Sequence, residues 1–260
     1  DTVAVVYEDV AYHNERQKIQ ITVEKKDAVS GEALEGVIFG LYAGEALTDA
    51  KGNVLVEKDT LIETKATGED GTVTFDSDLI HGKYYVKEEQ RLPGYLPNEE
   101  IWEIDASYEN QNDTVIILEK EVENQPTETH FTKTDIVTGE PVVGATLQIL
   151  DEEGNVIREW VTTTEEHIEY VLPEGNYILH EETAPNADGY VTAQDVAFTV
   201  KEDGSITKVE MEDDFSKVDI SKTDITGDTE LVGVKLQVLN SKEEVLDEWV
   251  TDGTEHRIEY

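Results

Sequence analysis

The chain has 260 residues, a length that favours about two domains. It carries 20 basic and 60 acidic residues, for a formal net charge of −40. This charge argues against binding to nucleic acid or to anionic lipid, because both would be repelled. No cysteine is present, which excludes disulfides, thiolate zinc sites and cysteine nucleophiles.

Apolar residues make up 38% of the chain and the acidic residues are spread along it. We therefore expect folded domains with acidic surfaces rather than a disordered acidic tail. No apolar run approaches the roughly 18 residues of a membrane-spanning helix, so we predict no direct membrane insertion in this segment. The chain opens without a signal peptide and ends at RIEY without a turn, and we expect it to be a segment of a longer protein.

The first predicted element is a strand within residues 1–16. Its sequence DTVAVVYEDVAYHN resembles DTVIILEKEVEN at residues 113–124, and both stretches end at an Asn shortly before a K-x-D motif. We therefore predict that residues 1–16 are the closing strand of a preceding domain, with Asn14 as its terminal asparagine.

A repeated motif organises the rest of the chain. Its three copies read EKKDAVSGEALEGVIFGLY, TKTDIVTGEPVVGATLQI and SKTDITGDTELVGVKLQV, and they start 108 and 89 residues apart. Repeats of this length are small domains rather than solenoid units. The predicted domains are residues 17–124 and 125–213, followed by an incomplete third copy at residues 214–260.

Each copy has the pattern of an all-β domain. Residues 19–23 and 146–150 alternate in period two, and turn signals such as Asp70-Gly71 and Asp203-Gly204 separate the predicted strands. No long amphipathic helix is evident. Short strands at this spacing predict an antiparallel sandwich or barrel.

Strand parity places a lysine on the apolar face of the first strand in every copy. A lysine in this position is costly unless it is paired or neutral. One such lysine would be expected to extend towards solvent at the strand end. Three of them at the same repeat position favour a shared role. The three are Lys25, Lys133 and Lys222.

A glutamate and a carbonyl-bearing residue recur in the same way. Glu88 shares a face with Tyr84 and Val86, and Glu181 occupies the matching position of the next copy. The closing strands point Asn124 and Asp213 inward, each nine residues before the next repeat lysine. Either residue alone could be a turn-former at a domain boundary.

Together the three residue types predict a reaction. A neutral, desolvated lysine amine can attack a side-chain carbonyl, and a protonated glutamic acid can polarise that carbonyl and transfer protons. The product is an amide that joins the first and last strands, with loss of ammonia from Asn124 or of water from Asp213. Because each bond forms once, the reaction is a maturation step and not enzymatic turnover.

The repeats resemble the Cna B-type, SpaA-like domains of Gram-positive surface adhesins and pilins. The resemblance includes the domain-start motifs and the glutamate box, which reads YYVKEEQRLPGY and YILHEETAPNADGY here, and it covers nearly the whole chain. It implies an all-β, prealbumin-like fold of tandem Greek-key sandwiches. It also implies Lys–Asn or Lys–Asp isopeptide bonds promoted by Glu.

Carried over to this sequence, the resemblance assigns one residue set to each complete domain. The sets are Lys25, Glu88 and Asn124 in the first domain, and Lys133, Glu181 and Asp213 in the second. Lys222 and Asn14 are crosslink candidates without partners in this chain. The first box has one extra residue before Pro93, which leaves Glu89 as an alternative to Glu88, and the second box has two extra residues before Gly189.

The implied function is that of a stalk on the Gram-positive cell surface, in contact with neighbouring domains of the same chain. The alternative is a module that binds host matrix protein or carbohydrate, with Trp102, Trp160 and Trp249 as sugar platforms. Trp160 and Trp249 occupy equivalent repeat positions, which is more typical of shared packing.

We predict no cofactor and no metal site, since a hairpin turn accounts for the acidic loop at residues 151–155. The sequence contains neither an L-P-x-T-G sorting signal nor a Y-P-K motif, and so it does not distinguish a pilus subunit from an adhesin.

Overall fold

Strands are the regular secondary structure of this protein. The computed structural model describes residues 16–108, 113–185, 189–227 and 229–259, and no helix occurs in these ranges. The predicted all-β fold is therefore confirmed. The predicted closing strand at residues 1–16 lies, apart from Arg16, outside the described residues, as does Asn14.

The chain divides into two compact units, residues 1–127 with 202–204 and residues 128–201 with 205–260. Each unit is described by itself below. The domain boundaries after residues 124 and 213 stay a prediction.

Unit 1 contains two main sheets and a short hairpin. One sheet has the strand order β6-β1-β9, the other has the order β5-β2-β7-β8, and β3 pairs with β4. The strands are β1 (Lys18–Asp27), β2 (Ile38–Ala43), β3 (Leu47–Thr48), β4 (Val54–Val56), β5 (Leu61–Ala66), β6 (Thr72–Phe75), β7 (Lys83–Gln90), β8 (Ile101–Asp105) and β9 (Val115–Asn124).

The first and last strands of unit 1 lie side by side. They pair in parallel over ten residues, from Lys18 opposite Val115 to Asp27 opposite Asn124. Parallel neighbours need a long connection, which the intervening strands supply. Alternation along β1 buries Ile21 and Val23, and the next inward position is Lys25, which has 0% exposure. The predicted strand at residues 19–23 lies inside β1.

Unit 2 repeats this arrangement with two four-stranded sheets, ordered β13-β10-β17-β15 and β12-β11-β14-β16. Its first strand, β10, again pairs in parallel with a late strand, β17. The strands are β10 (Glu128–Asp135), β11 (Thr146–Leu150), β12 (Val156–Val161), β13 (His167–Tyr170), β14 (Gly175–Thr183), β15 (Tyr190–Val191), β16 (Val196–Val200) and β17 (Thr207–Phe215).

One apolar core joins the two sheets of unit 2. Phe131 of β10 and Met211 of β17 pack with Ile149 of β11 and Leu179 of β14. The ring of Phe131 meets that of Phe198 edge to face, with centroids 5.4 Å apart. The side chains at the ends of β10 and β17 therefore enter the same interior as the core residues.

The third repeat copy forms two antiparallel pairs, β18 with β21 and β19 with β20. The strands are β18 (Lys217–Ile220), β19 (Val232–Leu239), β20 (Val245–Asp252) and β21 (His256–Glu259). Trp249 stacks on His256 with ring centroids 4.0 Å apart, as Trp160 stacks on His167 at 4.1 Å. Equivalent repeat positions thus make equivalent packing contacts.

Candidate functional site

The three residues predicted for the first domain meet in unit 1. Lys25 comes from β1 and Asn124 from β9 of one sheet, and Glu88 comes from β7 of the other. Lys25 Nζ donates to Asn124 Oδ1 at 2.5 Å and lies 3.1 Å from Glu88 Oε2. Asn124 Nδ2 is 3.1 Å from both oxygens of Glu88. An amine, a carboxyl and an amide are therefore in mutual hydrogen-bond contact.

Burial removes this cluster from water. Lys25 and Asn124 are 0% and 1% exposed, and the Glu88 side chain is 5% exposed. Desolvation lowers the pKa of Lys25, and the adjacent Glu88 carboxylate opposes this shift. A lowered amine pKa increases the fraction of the neutral, nucleophilic form.

Unit 2 brings together the three residues predicted for the second domain. Lys133 Nζ donates to Asp213 Oδ1 and lies 3.3 Å from Glu181 Oε1. All three side chains are buried, with exposures of 1% for Lys133 and 0% for both acids. Burial raises the pKa of Asp213 to about 6, although the Lys133 ammonium opposes the shift.

The second site contains one more carboxyl than the first. The backbone N–H of Ala193 donates to Glu181 Oε2 at 2.5 Å. Glu181 Oε1 and Asp213 Oδ2 are buried without a hydrogen-bond partner among the described residues. The nearby Glu181 carboxyl adds to the effect of burial in raising the pKa of Asp213, because it disfavours a second negative charge in the buried site.

The neighbouring glutamates lie on the opposite strand faces. Glu89 accepts a hydrogen bond from Tyr42 and lies 3.2 Å from Lys87 Nζ, on the outer face of the sheet. The Glu182 side chain is 57% exposed. In unit 1 it is thus Glu88, and not the alternative Glu89, that contacts Lys25. The promoting role of Glu88 stays a prediction.

The unpaired crosslink candidates are not part of either cluster. Lys222 is exposed, and its backbone N–H donates to Glu230 Oε2 at 3.1 Å. Asn14 lies outside the described residues. The structure therefore brings together two of the predicted sets and leaves Lys222 apart from both.

A tyrosine–aspartate hydrogen bond beside each site was not predicted from the sequence. Tyr95 Oη donates to Asp27 Oδ2 at 2.8 Å, and Tyr190 Oη donates to Asp135 Oδ2 at 2.9 Å. In both units the other aspartate oxygen accepts two backbone N–H groups of the following turn, as Asp135 does from Val137 and Thr138. These hydrogen bonds, with that of Thr138 the largest contributor, lower the pKa of Asp135. The sequence did contain a signal for this hydrogen bond. The aspartate of the K-x-D motif and the final tyrosine of the glutamate box recur together in both copies.

This hydrogen bond lies next to the acceptor residue of each site. Asp27 is the register partner of Asn124, and Ala28 N–H donates to the Asn124 backbone oxygen at 3.0 Å. Asp135 is likewise opposite Asp213. The tyrosine ties the loop that follows the glutamate strand to the strand position beside Asn124 or Asp213, and so helps to hold the three side chains of each cluster together.

Other candidate sites have simpler structural explanations. Asp151 Oδ1 accepts the backbone N–H groups of Glu153 and Asn155, which closes the hairpin turn in the acidic loop. Within the described residues no group of three or more His, Cys, Asp or Glu is arranged to hold a metal ion. The same part of the chain contains no helix of the length and hydropathy needed to cross a membrane.

Comparison with protein families identifies the fold. The family model described as SpaA, a prealbumin-like fold domain, matches residues 19–121 and 127–214. The chain belongs to this family. The resemblance read from the repeat motifs is confirmed. The second matched segment contains Lys133, Glu181 and Asp213, and the first contains Lys25 and Glu88 and ends three residues before Asn124. No curated protein matches the chain.

Solved structures similar to this SpaA-family chain include proteins from Bacillus anthracis, a streptococcus and Lactobacillus rhamnosus. The Bacillus anthracis TIE protein is 23% identical, with a TM-score of 0.47, 94% of this chain covered and 44% of that one. A streptococcal ancillary pilin is 22% identical, with a TM-score of 0.32 and coverage of 76% and 63%. The shaft pilin SpaA from Lactobacillus rhamnosus GG is 16% identical, with a TM-score of 0.35 and coverage of 75% and 97%. The chain thus spans less than two thirds of the first two proteins.

Tyr190→Phe is predicted to destabilise unit 2. The substitution removes the hydrogen bond to Asp135 but keeps the ring that stacks on Phe215 at 4.5 Å. The expected loss is about 0.5–1.5 kcal/mol of unfolding free energy, measured by urea unfolding. Tyr170→Phe is the matched control, because the Tyr170 hydroxyl has no hydrogen-bond partner in the described part of the chain. Equal midpoints for the two variants would contradict a stabilising role for the Tyr190–Asp135 bond.

Proposed function

We propose that this chain is a stalk segment of a Gram-positive cell-surface protein, pilin-like or adhesin-like, whose complete domains close their own intramolecular amide bonds. The observation that carries the proposal is the repetition of one buried Lys–Glu–acceptor cluster in both units. Membership of the SpaA family supports the structural role and the location on the cell surface. Neighbouring domains of the same chain are the proposed partners.

In unit 1 the reaction is an amide exchange. Neutral Lys25 Nζ attacks Cγ of Asn124, and Glu88 removes a proton from the attacking nitrogen and delivers one to Nδ2. Ammonia leaves, and an amide joins Lys25 to Asn124. The contact of Glu88 with both nitrogens at 3.1 Å supports this dual role.

In unit 2 the reaction is a condensation. Lys133 attacks the protonated carboxyl of Asp213, Glu181 transfers protons between the nitrogen and the departing oxygen, and water leaves. The raised pKa of Asp213 supports this route, because a carboxylic acid accepts a nucleophile and a carboxylate resists it. Each domain reacts once, so no catalytic turnover is proposed.

The bond would stabilise a stalk because it ties the first strand of each domain to its last. The lysine and its acceptor are separated by 99 residues in unit 1 and by 80 in unit 2. By analogy with a disulfide, closing loops of this length would add about 4–5 kcal/mol through the entropy of the unfolded chain. An amide is not reducible, which suits an extracellular segment exposed to shear and proteases.

The alternative binding function gains little support from the tryptophans. Trp160 packs on the core of unit 2 against Phe131, with ring centroids 5.2 Å apart, and also stacks on His167. Trp249 makes the equivalent stack on His256. These side chains contribute packing in successive repeats, and we retain the stalk as the proposed function.

Intact mass under denaturing conditions tests the proposal. We expect the purified chain to be lighter than its sequence by one ammonia and one water, with peptide mapping locating the bonds at Lys25–Asn124 and Lys133–Asp213. Glu88→Gln should abolish the ammonia loss and leave the water loss, and Glu181→Gln should do the opposite. Glu89→Gln is the control and should retain both losses. An unshifted mass for the unsubstituted chain would refute the crosslinking part of the proposal.

The two bonds should differ in their dependence on pH. The folded-state pKa of Asp213 is raised to about 6, so its reactive acid form is depleted as the pH rises above that value. The neutral amine becomes more abundant as the pH rises, which offsets the loss of the Asp213 acid form. We therefore expect Lys133–Asp213 closure to stop accelerating above pH about 6, and Lys25–Asn124 closure to keep accelerating, because the Asn124 amide does not titrate. The rates are measured by refolding uncrosslinked chain at several pH values and quenching samples for mass analysis. Identical pH profiles for the two bonds would contradict the acid mechanism at Asp213.

A further inference from the structure

Asn98 contacts the acceptor side chain of unit 1 and has no role in the reaction described above. It lies in the loop between β7 and β8. Its Nδ2 donates to Asn124 Oδ1 at 3.1 Å and to the backbone oxygen of Glu123 at 3.0 Å. Its Oδ1 accepts the backbone N–H of Glu100 at 2.9 Å. The Asn98 amide is thus held at both ends, with one hydrogen bond directed at Asn124.

The two ends of the Asn124 amide have different neighbours. Both oxygens of Glu88 lie 3.1 Å from Nδ2, the nitrogen that leaves as ammonia. Asn98 donates to Oδ1, the oxygen on which negative charge develops when Lys25 attacks. A donor preorganised at about 2.7–3.1 Å from such an oxygen is the arrangement that stabilises an oxyanion.

We propose that Asn98 is a catalytic residue of the Lys25–Asn124 reaction and donates a hydrogen bond to the oxyanion formed on Asn124 Oδ1. In this step the Lys25 nitrogen forms a bond to Cγ, and the carbonyl π electrons move to Oδ1. The electrons return as the Cγ–Nδ2 bond breaks and ammonia departs with the proton delivered by Glu88. Asn98 exchanges no proton and lowers the energy of the intermediate. This inference rests on the proposed crosslinking function.

Unit 2 lacks the same donor. Asn98 follows Tyr95 by three residues, and the residue three positions after Tyr190 is Ala193. The side chain of Ala193 has no donor, and its backbone N–H is used by Glu181. Asp213 Oδ2 has no hydrogen-bond partner among the described residues. The extra donor, Asn98, is therefore present beside the amide of Asn124, which has no acidic proton of its own. It is missing beside the carboxylic acid of Asp213.

The test compares the two bonds within one chain. Full-length chain is produced by pulse-labelled cell-free translation, quenched in denaturant at intervals and analysed by mass and peptide mapping. Asn98→Ala should slow Lys25–Asn124 closure by about 10²–10³-fold, the usual effect of removing one oxyanion donor. Lys133–Asp213 closure should keep its rate and serves as the internal clock. The exposed neighbour variant Glu99→Ala should leave both rates unchanged.

A second variant separates catalysis from loop structure. Asn98→Asp keeps the oxygen that accepts Glu100 N–H and loses the amide donor, so it should also slow the unit 1 bond. Folding is checked by urea unfolding of each variant combined with Lys25→Ala, which cannot form the unit 1 crosslink. If Asn98→Ala unfolds unit 1, the rate of Lys25–Asn124 closure in the Asn98→Asp variant decides the result.

The outcomes distinguish this inference from the proposed function. Closure of the Lys25–Asn124 bond at the unsubstituted rate in a folded Asn98 variant would overturn the role of Asn98 and leave the crosslinking proposal intact. Absence of that bond from the unsubstituted chain would overturn both. Slowing of the two bonds together would also contradict a role confined to unit 1.

Discussion

The ion pair between a buried lysine and a buried glutamate is the interaction on which each unit of this protein depends. Lys25 has no exposed surface, and its charge would be costly without Glu88 at 3.1 Å. Removing one member of such a pair commonly costs about 3–5 kcal/mol, because the other is left buried and unpaired. Only 20 residues of the chain are basic, yet two of them occupy this interior position. The lysine is thus retained at a position where an aliphatic residue would be cheaper to bury.

The topology of the domain explains why the three side chains of each cluster meet. Parallel pairing of β1 with β9 puts Lys25 beside the end of the last strand, and β10 with β17 does the same for Lys133. The opposite sheet contributes the glutamate across the core. Tyr95 and Tyr190 reach equivalent aspartates even though the loops that precede them differ by two residues in length. The tyrosine–aspartate bond allows the loop to vary while the strands around the site keep their positions.

Part of this arrangement was predictable from the sequence. Period-two alternation places Lys25 and Glu88 inward, and the repeat spacing equates Asn124 with Asp213; the structure brings these residues together. Repetition was the decisive signal, because a lone inward lysine has an ordinary explanation. The strands of the third copy follow the same pattern, but Lys222 is exposed there because no glutamate strand or closing strand packs against it in the described residues.

The other features of the site could not be predicted, because they depend on contacts between residues that no sequence pattern links. Asp27 reads as an ordinary turn residue until Tyr95 is seen to donate to it. Asn98 lies in a polar loop and has Ala193 as its counterpart, so the repeat gave no reason to select it. Strand parity already placed Glu89 on the face opposite Glu88, but the extra residue before Pro93 left it as an alternative until the contact of Glu88 with Lys25 was seen. Such features depend on loop conformation, which local sequence determines weakly.

Stretching single molecules of the full chain from both ends tests most directly whether the first and last strands of each domain are covalently joined. The account predicts that the crosslinks keep part of the unsubstituted chain from extending when it unfolds. The length not released is roughly 340 Å in unit 1 and roughly 270 Å in unit 2, which correspond to 99 and 80 extended residues. The double variant Lys25→Ala, Lys133→Ala should release both lengths. Equal extension of the two proteins would contradict the account.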